Sequence, residues 1–356
     1  MTISACRMVF LISSVKSSFK IDIEAAYIPF IKLIYFLKHI IIKKIMNKRV
    51  NLIIGSGVLG AYLSAELLKK NEKVIVTSRS VDKKYINYKY LKIKHKIKFE
   101  KLNTSNKNQI KNIIQKYKPN KIFYFSGQSS LTKSIKSKKE TLSSHYDGTK
   151  NFLDILKNQK LDTRFFKANS GYIFSPQNGL IHLNCKFSSN NNPYIKAQQK
   201  VFNLMKIYRK FGLNLSNLIF MQIESPLRKN DFFIKKVCLG AKNKKKIIVG
   251  NLNTYRDYSW ITEVVKAIVL TSNLKSKDYI ISAGKKLSGI EIVKTAYNLN
   301  KLDYRKYFSI SKKFFRKKEN KLLIGSNKNS LQLKIKHNFK FNIFGKKLIK
   351  KMYKSI

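Results

Sequence analysis

Short apolar runs alternate along the chain with segments whose apolar residues recur every three or four positions. Val50-Asn-Leu-Ile-Ile54 is such a run, the stretch from Ala61 to Lys70 reads as a helix, Lys73 to Thr77 is strand-like, and Gln109 to Tyr117 is helical. The rhythm continues through the strand Lys121 to Phe125, a helical segment from Asp147-Gly148-Thr149 to Leu156, a strand at Phe165-Phe166, and a helical stretch from Tyr194 toward Tyr208. Apolar strands interleaved with helices predict an α/β fold, with a parallel sheet covered on both faces.

Candidate chemistry sits where these strands end. Gly55-Ser-Gly57-Val-Leu-Gly60 joins the first strand to its helix. Gly55 permits a tight turn, Gly57 lets the backbone approach a pyrophosphate, and Gly60 allows close helix–strand contact, with the phosphates at the helix N-terminus. A purely structural glycine turn is the alternative; the position between a strand and a helix favours a dinucleotide site, and with it a doubly wound Rossmann sheet. The second strand ends near Arg79, where an acidic residue would bond a ribose 2′-hydroxyl. A guanidinium there suits a 2′-phosphate, which predicts NADP and leaves NAD open; the other reading of Arg79 is a surface charge. Ser126-Gly127-Gln128-Ser129 and Ser170 fall just beyond later strands, at the edge where open α/β sheets bind ligands.

The length of 356 residues and 44% hydrophobic content exclude a disordered tail and allow a sizeable core. The formal charge is +56, but only nine basic residues are Arg, and the Lys surplus accompanies much Asn and Ile, which share A/T-rich codons. The surplus therefore reads mainly as genome base composition, and no specific nucleic-acid partner is expected. Cys6, Cys185 and Cys238 show no CxxC spacing and the five His residues (39, 95, 145, 182, 337) no ligand spacing. No metal is expected, ordinary surface or core roles are assigned to the histidines, and reduced thiols point to the cytoplasm. The apolar stretch from Ile28 to Ile42 is broken by Lys32, Lys38 and His39, so neither a transmembrane segment nor a signal peptide is read there.

Further motifs carry a resemblance. Pro119-Asn120-Lys121-Ile122-Phe123-Tyr124 with Gln128-Ser129, then Asn192-Pro193-Tyr194, Glu224-Ser225-Pro226-Leu227-Arg228, Gly250-Asn251-Leu252 and Arg256-Asp257-Tyr258 stand in the order found in extended short-chain dehydrogenases/reductases. Within that group the chain resembles the GDP-mannose 4,6-dehydratase family, from about residue 48 to about 340. The resemblance implies a Rossmann domain with a smaller C-terminal substrate-binding domain. Residues 1–45 are read as an extension, 46–225 as the NAD(P)-binding domain, and 226–356 as mainly substrate-binding, with about 251–270 returning to the Rossmann domain. It also implies a homo-oligomer, NADP as cofactor, and a nucleotide sugar oxidised at C4, dehydrated across C5–C6 and reduced at C6.

Carried over by position, the resemblance makes Ser170 and Tyr194 the hydroxyl groups at the reacting carbon. Gly55, Gly57, Gly60, Arg79, Ser126, Gly127, Tyr194 and Gln198 become cofactor contacts, and Gln128, Ser129, Glu224, Arg228, Arg256, Arg316 and Glu319 substrate contacts. Two positions depart from the family pattern. Gln198 stands where YxxxK has its lysine, and a neutral amide cannot stabilise tyrosinate by charge. Tyr172 stands where the family has the dehydratase glutamate; it either substitutes for that base or simply packs in the pocket. An NDP-sugar epimerase or reductase, or a catalytically impaired nucleotide-sugar-binding homologue, is the alternative reading. Expression from Met46 tests the role of the extension: a soluble, cooperatively folding product is expected, and loss of soluble protein would show that residues 1–45 are needed.

Overall fold

The computed structural model describes residues 48–80, 85–315 and 319–356. The extension 1–45, Met46 and Arg316 lie outside the described residues. Residues 49–356 form one compact unit.

Seven parallel strands make the main sheet: β1 (Val50–Ile54), β2 (Lys73–Ser78), β3 (Lys98–Lys101), β4 (Lys121–Tyr124), β5 (Arg164–Ser170), β7 (Leu215–Phe220) and β11 (Tyr279–Ile281). Their order is β11-β7-β5-β4-β1-β2-β3, with every adjacent pair parallel. The order reverses between β1 and β4, which places the carboxyl ends of these two strands at the crevice of a doubly wound fold. This is a Rossmann-like sheet, as the apolar rhythm predicts.

Alternation along each strand sorts side chains to two layers. Ile53, Val76, Phe123, Phe166 and Leu218 pack beneath the helices Val58–Lys69 and Ile261–Thr271. Leu52, Ile54, Ile75, Ile122, Tyr124, Phe165 and Leu215 pack beneath Lys107–Tyr117, Gly148–Asn158 and Pro193–Lys210 on the other face. Local signals start these helices. The Asn106 side chain accepts from Gln109 N at 3.0 Å, and Asn192 accepts from Tyr194 N at 3.0 Å with Pro193 at the first helical position. Strand β5 extends through Ser170, which ends the strand instead of falling just beyond it.

A smaller layer uses short strands. β6 (Leu180–Ile181), β8 (Gln222–Glu224), β10 (Tyr255–Trp260), β12 (Lys286–Ser288) and β14 (Leu322–Gly325) join in one sheet, and β9 (Ile247–Val249) pairs with β13 (Phe308–Ile310). The helices Phe233–Lys242, Gly289–Asn298 and Gly345–Ser355 bury Ile234, Val237, Ile292, Leu348 and Met352 in a core of their own. The chain returns to the main sheet over helix Ile261–Thr271 and β11. Among the described residues no helix is long and apolar enough to cross a membrane.

At Gly60 a Cβ would lie 2.4 Å from the backbone oxygen of Gly55 and 3.2 Å from Ile53 Cγ2. Gly60→Ala must push the first helix off its strand, so a loss of about 1–3 kcal/mol is expected in urea unfolding, as for overpacked cores.

Candidate active site

The glycine turn and the β4 turn meet at the crevice. Gly55 has φ +112°, a region that disfavours side chains, and a Cβ there would sit 3.0 Å from Ser126 N. Gly57 precedes the helix Val58–Lys69 and faces open space, with nothing within 4 Å of where its Cβ would be. A helix N-terminus with an unobstructed backbone beside it fits a pyrophosphate. Gly127, at φ +129°, has the His145 ring directly against it: a Cβ would fall 2.3 Å from Cε1. Arg79, exposed at the end of β2, pairs with Glu140 at 3.0 Å.

From His145 the contacts run to the reacting side of the crevice. Its ring lies edge-on to Tyr194 with centroids 5.5 Å apart. The Gln198 and Ser170 side chains lie close enough to the Tyr194 hydroxyl to lower its pKa, and Tyr172 close enough to raise it. Burial pushes the Tyr194 phenol up, against these two polar neighbours. Ser170 Oγ accepts from Tyr172 N at 3.2 Å, Asn169 Nδ2 donates to Gln198 O at 3.2 Å, and Gln222 Nε2 donates to the Tyr172 hydroxyl at 3.0 Å. The structure thus brings Ser170, Tyr194, Gln198 and Tyr172 together at the carboxyl end of β5 and the start of one helix.

The predicted substrate residues are dispersed differently. Gln128 folds back on Ser130, donating from Nε2 to its carbonyl at 2.6 Å and accepting from its N, while Ser129 lies in the same turn. Arg256 and Glu319, both expected at the sugar nucleotide, pair with each other at 2.9 Å. Arg228 donates to Ile223 O and stacks 3.5 Å over the Phe232 ring, with Glu224 Oε1 3.9 Å from its Nη1. Glu224 is 2% exposed, and burial pushes its carboxyl up to about 7 despite Arg228. It also lies within electrostatic reach of the Cys238 thiol in the second layer. A cavity of about 700 Å³ lies at the opposite, amino end of the strands, where Lys121 Nζ bonds Ser272 Oγ and Asn273 Oδ1 at the end of helix Ile261–Thr271.

Two groups at the crevice were not expected there: His145, read only as an ordinary surface or core histidine, and Lys167. His145 Nε2 donates to Gln128 O at 2.8 Å, while its buried Nδ1 has no partner among the described residues. Burial, then the charge of Lys167, pushes its imidazole down to about 3. Lys167 is 1% exposed, and burial lowers its ammonium to about 7. A lysine inside the apolar run Phe165-Phe166-Lys167-Ala168 was the available signal; nothing local marks His145.

A dinucleotide-type glycine turn beside a Ser–Tyr pair on a doubly wound sheet defines the class of extended short-chain dehydrogenases/reductases. The chain belongs to the GDP-mannose 4,6-dehydratase family, whose model matches residues 52–352. It is 25% identical over 199 residues to a GDP-mannose 4,6-dehydratase of Sinorhizobium fredii (strain HH103), spanning 52% of this chain and 55% of that protein. It is 22% identical over 295 residues to GDP-mannose 4,6 dehydratase 2 of Arabidopsis thaliana, covering 76% of this chain and 78% of the relative. Among solved structures, UDP-glucuronic acid 4-epimerase of Bacillus cereus, in complex with UDP-glucuronic acid and NAD, superposes with a TM-score of 0.75 at 16% identity, over 86% of this chain and 98% of that one.

The buried Glu224 has a consequence for stability. Its folded pKa of about 7 lies above the ordinary 4.5, so the native state holds a proton that the unfolded chain has lost, and stability falls as pH rises between the two. Glu224→Gln removes this dependence. Between about pH 5 and about pH 8 the urea-derived stability difference is expected to move toward the variant by about 2 kcal/mol.

Proposed function

We propose that this chain is a nucleotide-sugar 4,6-dehydratase of the GDP-mannose type that works with NADP, as a homo-oligomer. The observation that carries the reading is the convergence of Ser170, Tyr194 and Gln198 beside the glycine turn. A nicotinamide held there would supply the hydride acceptor for C4 of the hexose and the hydride donor for C6. Gly55, Gly57, Gly60, Ser126 and Gly127 hold the dinucleotide, and Arg79 leaves Glu140 for the 2′-phosphate. Tyr194 accepts the proton of the C4 hydroxyl while Ser170 donates a hydrogen bond to the same oxygen. Arg228 and the Arg256–Glu319 pair border the diphosphate-linked sugar, Arg because its planar fork matches phosphate oxygens. Tyr172, held by Gln222, stands where the C5 proton is removed.

A second reading, a binding homologue that has lost turnover, is favoured by the same residues. Gln198 brings no charge to Tyr194, and Tyr172 is a phenol where elimination calls for a carboxylate. Purified protein incubated with GDP-mannose and NADP separates the two. The expected result is a 4-keto-6-deoxy sugar product, with Tyr194→Phe slowing its formation by at least about 100-fold. Calorimetric binding without product, together with activity appearing only in Gln198→Lys/Tyr172→Glu, would establish the second reading instead.

A further inference from the structure

The cations of this chain are mostly lysines, and its arginines are few enough to follow one by one. Of the seven arginines among the described residues, Arg79, Arg209, Arg228, Arg256 and Arg305 each pair with a carboxylate. Arg49 and Arg164 do not, and both line the cavity of about 700 Å³ at the amino ends of the strands, opposite the crevice. Lys121 and Lys275 line it as well, and no ion pair among the described residues includes either.

The sheet places these groups. Arg49 precedes β1, Lys121 opens β4, Arg164 opens β5, and Lys275 follows the helix Ile261–Thr271. Lys121, 4% exposed, donates to Ser272 Oγ at 2.9 Å and Asn273 Oδ1 at 2.7 Å, which leaves one of its three N–H groups. Burial lowers its ammonium to about 8, against the charge of Glu72, and Arg49, Arg164 and Lys70 lower it further. Arg164 donates from Nη1 to Ser272 O at 2.6 Å and from Nη2 to Leu274 O. These bonds cap the carboxyl end of the helix, whose dipole sets about half a negative charge against two full positive ones. The side chains of Arg49 and Lys275 make no hydrogen bond among the described residues, and the carboxylate on the cavity wall, Asp162, accepts from Asn214 Nδ2 at 2.7 Å. Like charges are thus gathered around one space with too little opposite charge to balance them.

We propose that this cavity is a second anion site, separate from the crevice at the carboxyl ends, and that it takes the oligophosphate group of a small organic molecule. Repulsion among Arg49, Lys121 and Arg164 is relieved when a polyanion enters. The Arg49 guanidinium has its whole planar fork available for phosphate oxygens, Lys275 adds a point charge, and Lys121 contributes a donor from the buried wall. The space is larger than a lone phosphate and falls in the range of small-ligand pockets. Asn120, whose Oδ1 accepts from Val50 N at 2.8 Å and whose Nδ2 is left over, and the Ser276 hydroxyl suit a hydroxyl-bearing remainder of the ligand.

Inorganic pyrophosphate is the probe, and lysine acetylation by acetic anhydride, read by peptide mass spectrometry on the full chain, is the measurement. Only the neutral amine reacts, and a bound anion favours the ammonium. At about 0.15 M salt, where charges more than about 8 Å apart are screened, saturating pyrophosphate is expected to slow acetylation of Lys121 and Lys275 together by about threefold or more. The exposed Lys294 and Lys347 of the second layer, read in the same digest, should change by less than about 1.5-fold. Arg49→Gln, which removes an exposed side chain that bonds nothing in the fold, is expected to raise the half-protecting pyrophosphate concentration about tenfold. Equal slowing at all four lysines would mean general attraction to a basic surface and overturns the proposal. Protection that Arg49→Gln leaves unchanged overturns it too, as does the absence of protection, which would leave the glycine turn as the phosphate site. If Lys121 is too deeply buried to react, Lys275 alone decides by the same criteria. None of these outcomes depends on sugar turnover, so the dehydratase reading stands or falls separately.

Discussion

The distance between the first strand and its helix is set by an absent methyl group. At 2.4 Å from Gly55 O there is no room for a Cβ on residue 60, so the helix can lean onto the strand only as glycine. The contacts beyond it follow in series. The Gly55 turn abuts Ser126 N, Gly127 yields its Cβ space to His145, and His145 packs on Tyr194. A chain of missing side chains therefore fixes where the tyrosine stands relative to the turn that fits a pyrophosphate.

The opposite economy holds on the far side of the crevice, where polar groups are buried at a cost. Asp257, 0% exposed and pushed up to about 7 by burial, accepts from Gly284 N at 2.9 Å and Gly325 N at 3.3 Å. Those two amides follow β11 of the main sheet and end β14 of the smaller one, so one carboxyl ties the two sheets. Its neutral form is the one that burial favours, as for Glu224. Charged residues in this molecule are thus divided between a solvated lysine surface and a few interior positions whose ionisation the fold controls.

Much of the fold was legible because its causes are local. The alternation of apolar runs and helical periods marked β1, β2, β4 and β5 and four of the helices that cover them to within a few residues, while β3, β7, β11 and the helix Ile261–Thr271 were not read, and the glycine spacing located the crevice. Ser170, Tyr194, Gln198 and Tyr172 were legible by position and converge in space. The ionic partners were not. Arg256 and Glu319 are 63 positions apart in the chain, and only the pairing of β10 with β14 brings them to 2.9 Å. His145 carried no local mark, since its role depends on Gly127 and Tyr194, which approach it from two other segments.

The sequence by itself determined the parallel α/β architecture, the turn at Gly55–Gly60 and the family of the chain, because periodicity, backbone freedom and motif order are properties of neighbouring residues. Only the tertiary structure decided that Lys167 is sealed inside, that Arg256 meets Glu319, and that Glu224 keeps its proton toward neutral pH. Each of these depends on how much water and which charge the rest of the folded chain leaves beside the group, and no local stretch of residues encodes that.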